Sequence, residues 1–194
     1  MLPLRVPGIL SPRGIGGATR ALPPRLSCLR SSATSTRSPG PPLTLASGLT
    51  EERIKVPLDS LDKAGILREM CSLLASSAGL ADRLDDIHRV VVEREAVLST
   101  GVGSGIALPH GKCDGLERLE MVAGTTREPV DFDAVDGDPV RLVLMMVGPP
   151  SAVGYHVKTL GHISRTLRNA ELRDRLSDAE DARRFRRLIL EAGA

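Results

Sequence analysis

The stretch Val140-Arg141-Leu142-Val143-Leu144-Met145-Met146-Val147, bounded by Pro139 and Gly148, is a near-continuous apolar run. A strand with one wet face alternates apolar and polar residues, whereas a strand covered on both faces reads as unbroken hydrophobic text. The run therefore predicts a central strand with helices above and below it. Upstream, Leu119 to Thr126 predicts a second strand, with turn chemistry at Asp136-Gly137 between the two. Further back, Ile66, Leu67, Met70, Leu73 and Leu74 recur at helical spacing behind the N-cap candidates Asp59, Ser60 and Asp62, and that helix runs to about Ser77. A second helix over about 81–97 takes Leu84, Ile87, Val91 and Leu98 as its inner stripe, with Arg94 at the stripe's edge. The expected fold class is α/β, a mixed central β-sheet flanked by helices on both faces.

Beyond the central strand, a helix over about 154–168 carries Leu160, Ile163 and Leu167 as its stripe, extended on one side by Val157 and Ser164. His156 precedes the stripe residues by four, seven and eleven positions and so points with them toward the protein body; His162 points the other way, toward solvent. Ser177-Asp178-Ala179-Glu180 has the pattern of a capping box ahead of Phe185, Leu188 and Ile189. The arginines at 183, 184, 186 and 187 follow Asp178, Glu180 and Asp181, an order that suits the helix dipole and reads as a solvated face.

Composition excludes several classes of function. The 194 residues carry a net charge of +2 and only three aromatic side chains, Phe132, Tyr155 and Phe185, too few for a stacking platform that binds single-stranded nucleic acid. No apolar run approaches the roughly 20 residues of a membrane span. Cys28, Cys71 and Cys113 are odd in number and widely spaced, which suggests neither a disulfide framework nor a zinc knuckle and points to a reducing compartment. Cys71 lies on the apolar side of the first helix and reads as a core thiol. Residues 1–49 differ from the rest: they hold six arginines, no acid and eight of the 14 prolines, leaving the remaining chain at −4. Such a segment holds no regular element for long. It reads as a disordered tail, an organelle-type transit peptide or a start site assigned too far upstream, with the folded domain expected over 50–194.

Chemistry concentrates in Ser99-Thr100-Gly101-Val102-Gly103-Ser104-Gly105-Ile106-Ala107-Leu108-Pro109-His110-Gly111. Three alternating glycines expose backbone N–H groups, the makings of an anion-binding nest. It is neither of two familiar phosphate loops: Ile106 stands where the dinucleotide fingerprint needs its third glycine, and Cys113 replaces the Ser/Thr that would hold magnesium in an ATP-binding loop. The run Ile106 to Leu108 reads as a strand ending at Pro109, which delivers His110 beside the glycine loop, at the end of a strand, where ligands sit in open α/β sheets. A histidine there can be a general base, a metal ligand, a nucleophile or a structural residue. No His or acid stands at ligand spacing, so no metal is expected, and a nucleophile toward phosphorus needs little beyond donors for the phosphoryl oxygens.

The whole stretch from Arg94 through His110-Gly111 closely resembles the active-site signature of the fructose/mannitol-type enzyme IIA domains of the bacterial phosphoenolpyruvate-dependent phosphotransferase system. The segment from Pro129 to Val140 and the His156-Val157-Lys158-Thr159-Leu160 region resemble the same family, and the likeness runs over roughly 51–192. The resemblance implies a cytoplasmic phosphocarrier without a cofactor. Its phosphorylated histidine maps onto His110, and Arg94 and His156 support the charge of the transferred group. The backbone from Ser99 and Thr100 through Gly101, Val102, Gly103, Ser104 and Gly105 is expected to cradle the phosphoryl oxygens. The implied partners are an HPr-type phosphocarrier protein as donor and a IIB protein or regulatory target downstream, with no nucleic acid and no membrane insertion. Within the family, Phe132-Asp133-Ala134-Val135-Asp136 and a domain standing alone look most like the nitrogen-regulatory branch; a sugar-transport IIA subunit is the second reading, and a binding-only sensor of anions or partner proteins a third.

Overall fold

The computed structural model describes residues 43–194, so the readings made on residues 1–42 lie outside it. Strand β6 (Val140–Gly148) is the centre of a six-stranded mixed sheet of order β1-β5-β6-β3-β2, with β4 (His110–Lys112) also paired to β6. Its neighbour β5 (Glu120–Val130) runs antiparallel to it, β1 (Ile54–Lys55) runs parallel to β5, and β2 (Gly101–Gly103) closes the other edge as a hairpin with β3 (Ile106–Ala107).

Side-chain alternation along β6 divides the interior in two. Leu142, Leu144 and Met146 face one helical layer together with Ile163, Leu167, Phe185 and Leu188. Val143, Met145 and Val147 face the other, with Met70, Leu74, Ile87 and Val91. The first layer is built by α1 (Leu45–Gly48), α4 (Val153–Thr166), α5 (Ala170–Ser177) and α6 (Ala182–Glu191), the second by α2 (Lys63–Ser77) and α3 (Leu84–Val97). The expected mixed sheet with helices on both faces is thus what forms.

Several local readings change. Helix α3 ends at Val97, and Leu98, expected on its inner stripe, is 65% exposed because the chain there turns to extended backbone. Val157 is equally exposed and Ser164 also faces solvent, so the buried stripe of α4 is His156, Thr159 and Ile163. His162 is half-buried and not solvent-facing. Before the last helix, the Asp181 side chain accepts from the Arg184 amide, so Asp181 and not Ser177 is the cap; Ser177 ends α5, a separate helix capped by Asn169. Cys71 is buried in the core, where desolvation pushes its thiol up to about 12.

The expected domain start at residue 50 falls too late. Leu45 and Leu49 have no exposed surface and join the core, and the Arg186 guanidinium of α6 donates to the carbonyls of Ala46 and Leu49, satisfying the end of α1. Removing a buried leucine side chain costs about 2–5 kcal/mol through lost burial and the cavity left behind. Leu45→Ala is therefore expected to lower stability by that amount in urea denaturation; a change below about 0.5 kcal/mol would show that residues 45–49 are dispensable to the domain.

Candidate functional site

Strands β3 and β4 (His110–Lys112) are one strand interrupted in the middle. Both pair parallel with β6 in the same register, Ile106 opposite Leu142 and His110 opposite Met146. Pro109, which has no N–H to give, marks the break, although its carbonyl still accepts from Met146 at 3.0 Å. Leu108, just before it, turns its N–H to the Thr100 carbonyl at 2.9 Å, and its own carbonyl meets His110 Nδ1 at 2.9 Å. On the other side of the ring, Arg94 Nε donates to His110 Nε2 at 3.1 Å. A carbonyl only accepts and a guanidinium only donates. The proton of the neutral ring therefore resides on Nδ1, and Nε2 carries the lone pair.

Arginine reaches the ring because helix α3 lies close to β4. A Cβ at Gly111 would stand 3.0 Å from Val90 Cγ2 and 3.3 Å from Val91, so any larger residue would push the helix and Arg94 outward. A second Arg94 nitrogen, Nη1, caps the end of α3 by donating to the Leu98 carbonyl at 2.9 Å. Burial pushes the His110 ring below the usual histidine range; the Leu108 hydrogen bond and Glu95 oppose this, and Arg94 and Lys112 reinforce it. The net direction favours the neutral ring.

A cavity of about 490 Å³ opens beside it, lined by Val90, Glu93, Arg94, His110, Gly111, Lys112, Val153, His156, Val157 and Leu160. His156 reaches it from the first turns of α4, its ring near Gly148 at the carboxyl end of β6. His156 is 4% exposed, and neither ring nitrogen has a hydrogen-bond partner. Desolvation, with smaller contributions from His110 and Lys112, lowers its pKa to about 4. The structure thus brings together Arg94, His110 and His156, which are 16 and 46 residues apart along the chain. Lys112 went unnamed in the sequence reading, yet the signal was present: it stands two residues after His110 in a strand and so shares its face.

The glycine loop does not join this cavity. The Thr100 amide donates to Glu95, the Gly101 amide to Ser99 Oγ at 3.1 Å, and the Ser104 amide to Asp136 Oδ2 at 2.7 Å. Gly103, at φ +92°, is a glycine because a Cβ would lie 2.7 Å from that Asp136 oxygen. Val102 is exposed, and the Gly105 carbonyl accepts from the Arg141 and Leu142 amides. The amides of Thr100, Gly101 and Ser104 are thus taken by the protein's own carboxylates and hydroxyl. Ser99 donates to the Phe132 carbonyl at 2.6 Å. Among the described residues no helix is long and apolar enough to cross a membrane.

Residues 47–192 match the family model described as phosphoenolpyruvate-dependent sugar phosphotransferase system, EIIA 2. The match covers most of the chain, and the protein belongs to this family of phosphocarriers. A nitrogen regulatory protein from Bradyrhizobium diazoefficiens is 34% identical over 131 residues, covering 68% of this chain and 84% of that protein. The fructose-specific EIIABC component of the phosphotransferase system from Bacillus subtilis is 33% identical over 132 residues, covering 68% of this chain and 21% of that protein, so the chain spans about a fifth of this longer relative. The crystal structure of nitrogen regulatory protein IIA-Ntr from Neisseria meningitidis aligns with a TM-score of 0.68 at 29% identity, over 75% of this chain and 98% of that one.

The neutral burial of His156 has a consequence for stability. As pH falls below about 6.5, the unfolded chain protonates this histidine while the folded chain refuses the proton until about pH 4. Stability is therefore held above the upper value and lost through the window between them, by up to about 3 kcal/mol at about 1.4 kcal/mol per pKa unit. In a thermal-unfolding series from pH 7 to pH 4, His156→Gln should flatten the decline in Tm; the same slope in both proteins would place the proton uptake elsewhere.

Proposed function

We propose that His110 Nε2 accepts a phosphoryl group from an HPr-type phosphohistidine protein and holds it for a IIB protein or a regulatory target. The observation that carries this reading is the ring held at both ends: Nδ1 keeps its proton on the Leu108 carbonyl, while the Nε2 lone pair faces the cavity shared with Arg94 and His156. In the transfer, the Nε2 lone pair forms a bond to phosphorus as the donor's P–N bond breaks, and the donor imidazole keeps that electron pair. The His110 ring becomes positive, and the Leu108 carbonyl stabilises the Nδ1 proton.

Arg94 in the resting site occupies the nucleophilic nitrogen, so it moves a short distance from Nε2 onto the incoming oxygens. A guanidinium suits this because its charge is permanent and its donors are set in a plane. The arriving dianion also reverses the balance at His156: an opposite charge close by favours the protonated ring, which then donates to a phosphoryl oxygen. Lys112 adds a further positive charge on the same side. Val153 and Val157, exposed at the rim, offer an apolar margin to a partner protein, since the donor's own phosphohistidine must come within bonding distance of Nε2.

The relatives' names include nitrogen regulatory proteins, matched over 84–93% of their length, and fructose-specific components, one of which is matched over 77% of its length, and we favour the regulatory role because the former name recurs at the higher coverage. Incubation with phosphoenolpyruvate, enzyme I and HPr should add the mass of one phosphoryl group to the wild type and none to His110→Ala. A binding-only sensor would gain none in either. Arg94→Ala is expected to slow the gain by about 10²–10³-fold, the usual loss for one charge-stabilising donor, with the fold retained by circular dichroism; a wild-type rate would remove Arg94 from the transfer.

A further inference from the structure

We propose that Glu95, held by Lys63 of helix α2, is the positioning residue that keeps the two clamps on His110 in register with each other. The proposal rests on the phosphocarrier reading of His110 and adds to it a residue that touches neither the ring nor the cavity.

The His110 ring is gripped from two separate pieces of chain. Nε2 is met by Arg94 from the last turn of α3, and Nδ1 by the Leu108 carbonyl from the broken strand. The ring can satisfy both partners only if helix and strand keep a fixed separation, since a shift of a few tenths of an ångström weakens one bond as it strengthens the other. Glu95 is the next residue after Arg94, and at 100° per residue it points to a different side of the helix, toward the extended chain that precedes β2. Its carboxylate accepts the Thr100 amide at 3.0 and 3.1 Å and the Thr100 hydroxyl at 2.5 Å. Thr100 in turn accepts the Leu108 amide on its carbonyl at 2.9 Å. One carboxylate therefore links the helix that carries Arg94 to the peptide whose carbonyl holds the His110 proton.

The link is stiff because Glu95 and Thr100 are both buried and hydrogen-bonded to each other. Glu95 is 8% exposed and Thr100 3%. Burial alone pushes the Glu95 carboxyl upward, but Lys63, the Thr100 hydroxyl and the Thr100 amide together outweigh it, and the net direction is down. Lys63 Nζ lies 2.8 Å from Glu95 in an ion pair and donates to Asp133 at 2.9 Å and to the Phe132 carbonyl at 2.9 Å. Helix α2, helix α3 and the loop from Asp131 to Asp136 are thereby joined at one charged knot behind the nucleophile. A buried carboxylate lacking such partners is strongly unfavourable, so the cluster is stable only when assembled, and its assembly sets the relative placement of α3 and Thr100.

The tests are the rate of phosphoryl gain from phospho-HPr and the ¹⁵N signals of the His110 imidazole, on wild type, Glu95→Gln, Thr100→Val and Thr100→Ser. Misplacement of a reacting group by a fraction of an ångström to 1 Å costs on the order of 10–100-fold in rate. Glu95→Gln and Thr100→Val are expected to lower the transfer rate constant by that range, to leave the KM for phospho-HPr unchanged because neither residue reaches the surface of the cavity, and to mix the Nδ1–H and Nε2–H tautomers in the ¹⁵N spectrum. Thr100→Ser, which restores the hydroxyl, should return both readings to wild type. If Glu95→Gln does not fold, the two Thr100 variants decide the matter between them. Wild-type rates together with an unmixed tautomer in the folded variants would overturn the positioning role, as would a rate loss that Thr100→Ser fails to rescue. A wild type that accepts no phosphoryl group would instead overturn the reading of His110 itself, with the ¹⁵N comparison still reporting whether the clamp depends on Glu95.

Discussion

The imidazole of His110 is held with Nδ1 protonated against the Leu108 carbonyl and the Nε2 lone pair accepting from Arg94. In water a neutral histidine exchanges between two tautomers and rotates freely, and a nucleophile that must meet phosphorus in line would then be correctly placed for only part of the time. Here an acceptor with no proton to give and a donor with no lone pair flank the ring, so a single tautomer and a single orientation satisfy both. Almost every other feature near the site follows from the need to bring a carbonyl and a guanidinium to opposite ends of one five-membered ring.

The carbonyl comes from a defect in the sheet. An uninterrupted strand would commit the groups around Leu108 to its neighbours; the break at Pro109 turns the Leu108 N–H to Thr100 and leaves its carbonyl to the ring, while β3 and β4 keep the same register on β6. The guanidinium comes from a close helix–strand approach that the missing side chain of Gly111 permits. Both depend on β6, whose alternating side chains anchor two helical layers at once. A central strand buried on both faces resists displacement, and strands paired to it inherit that rigidity.

The site also stores an electrostatic imbalance. His156 is buried without partners, and the charged side chains that line the cavity are Arg94 and Lys112 against the single acid Glu93. A cavity of that kind is unfavourable when empty of negative charge and favourable when a phosphoryl group supplies it. On the proposed reading of His110, the cost of burying His156 without partners in the resting protein becomes a preference for the phosphorylated one.

Periodicity was enough to predict the mixed sheet and both helical layers, because those signals are local: an apolar run and a 3.6-residue stripe; Arg94 and His156 were singled out only by the family resemblance, and the structure places both beside His110. Where local pattern misled, a competing partner lay far away in the chain. The glycine loop has the composition of an anion nest, but Asp136, 32 residues after Ser104, fills it. Leu98 and Val157 continue their stripes on paper, yet the helix ends before one and the cavity opens beneath the other. Residues 45–49 looked like the end of a tail until Arg186 and the core claimed them. The chain by itself determines which residues can do the chemistry, since nucleophile, cation and glycine are properties of side chains. Only the tertiary structure decides which nitrogen is free, which amides are already taken and which charges face one another, because those depend on distances across folded space that no spacing along the chain encodes.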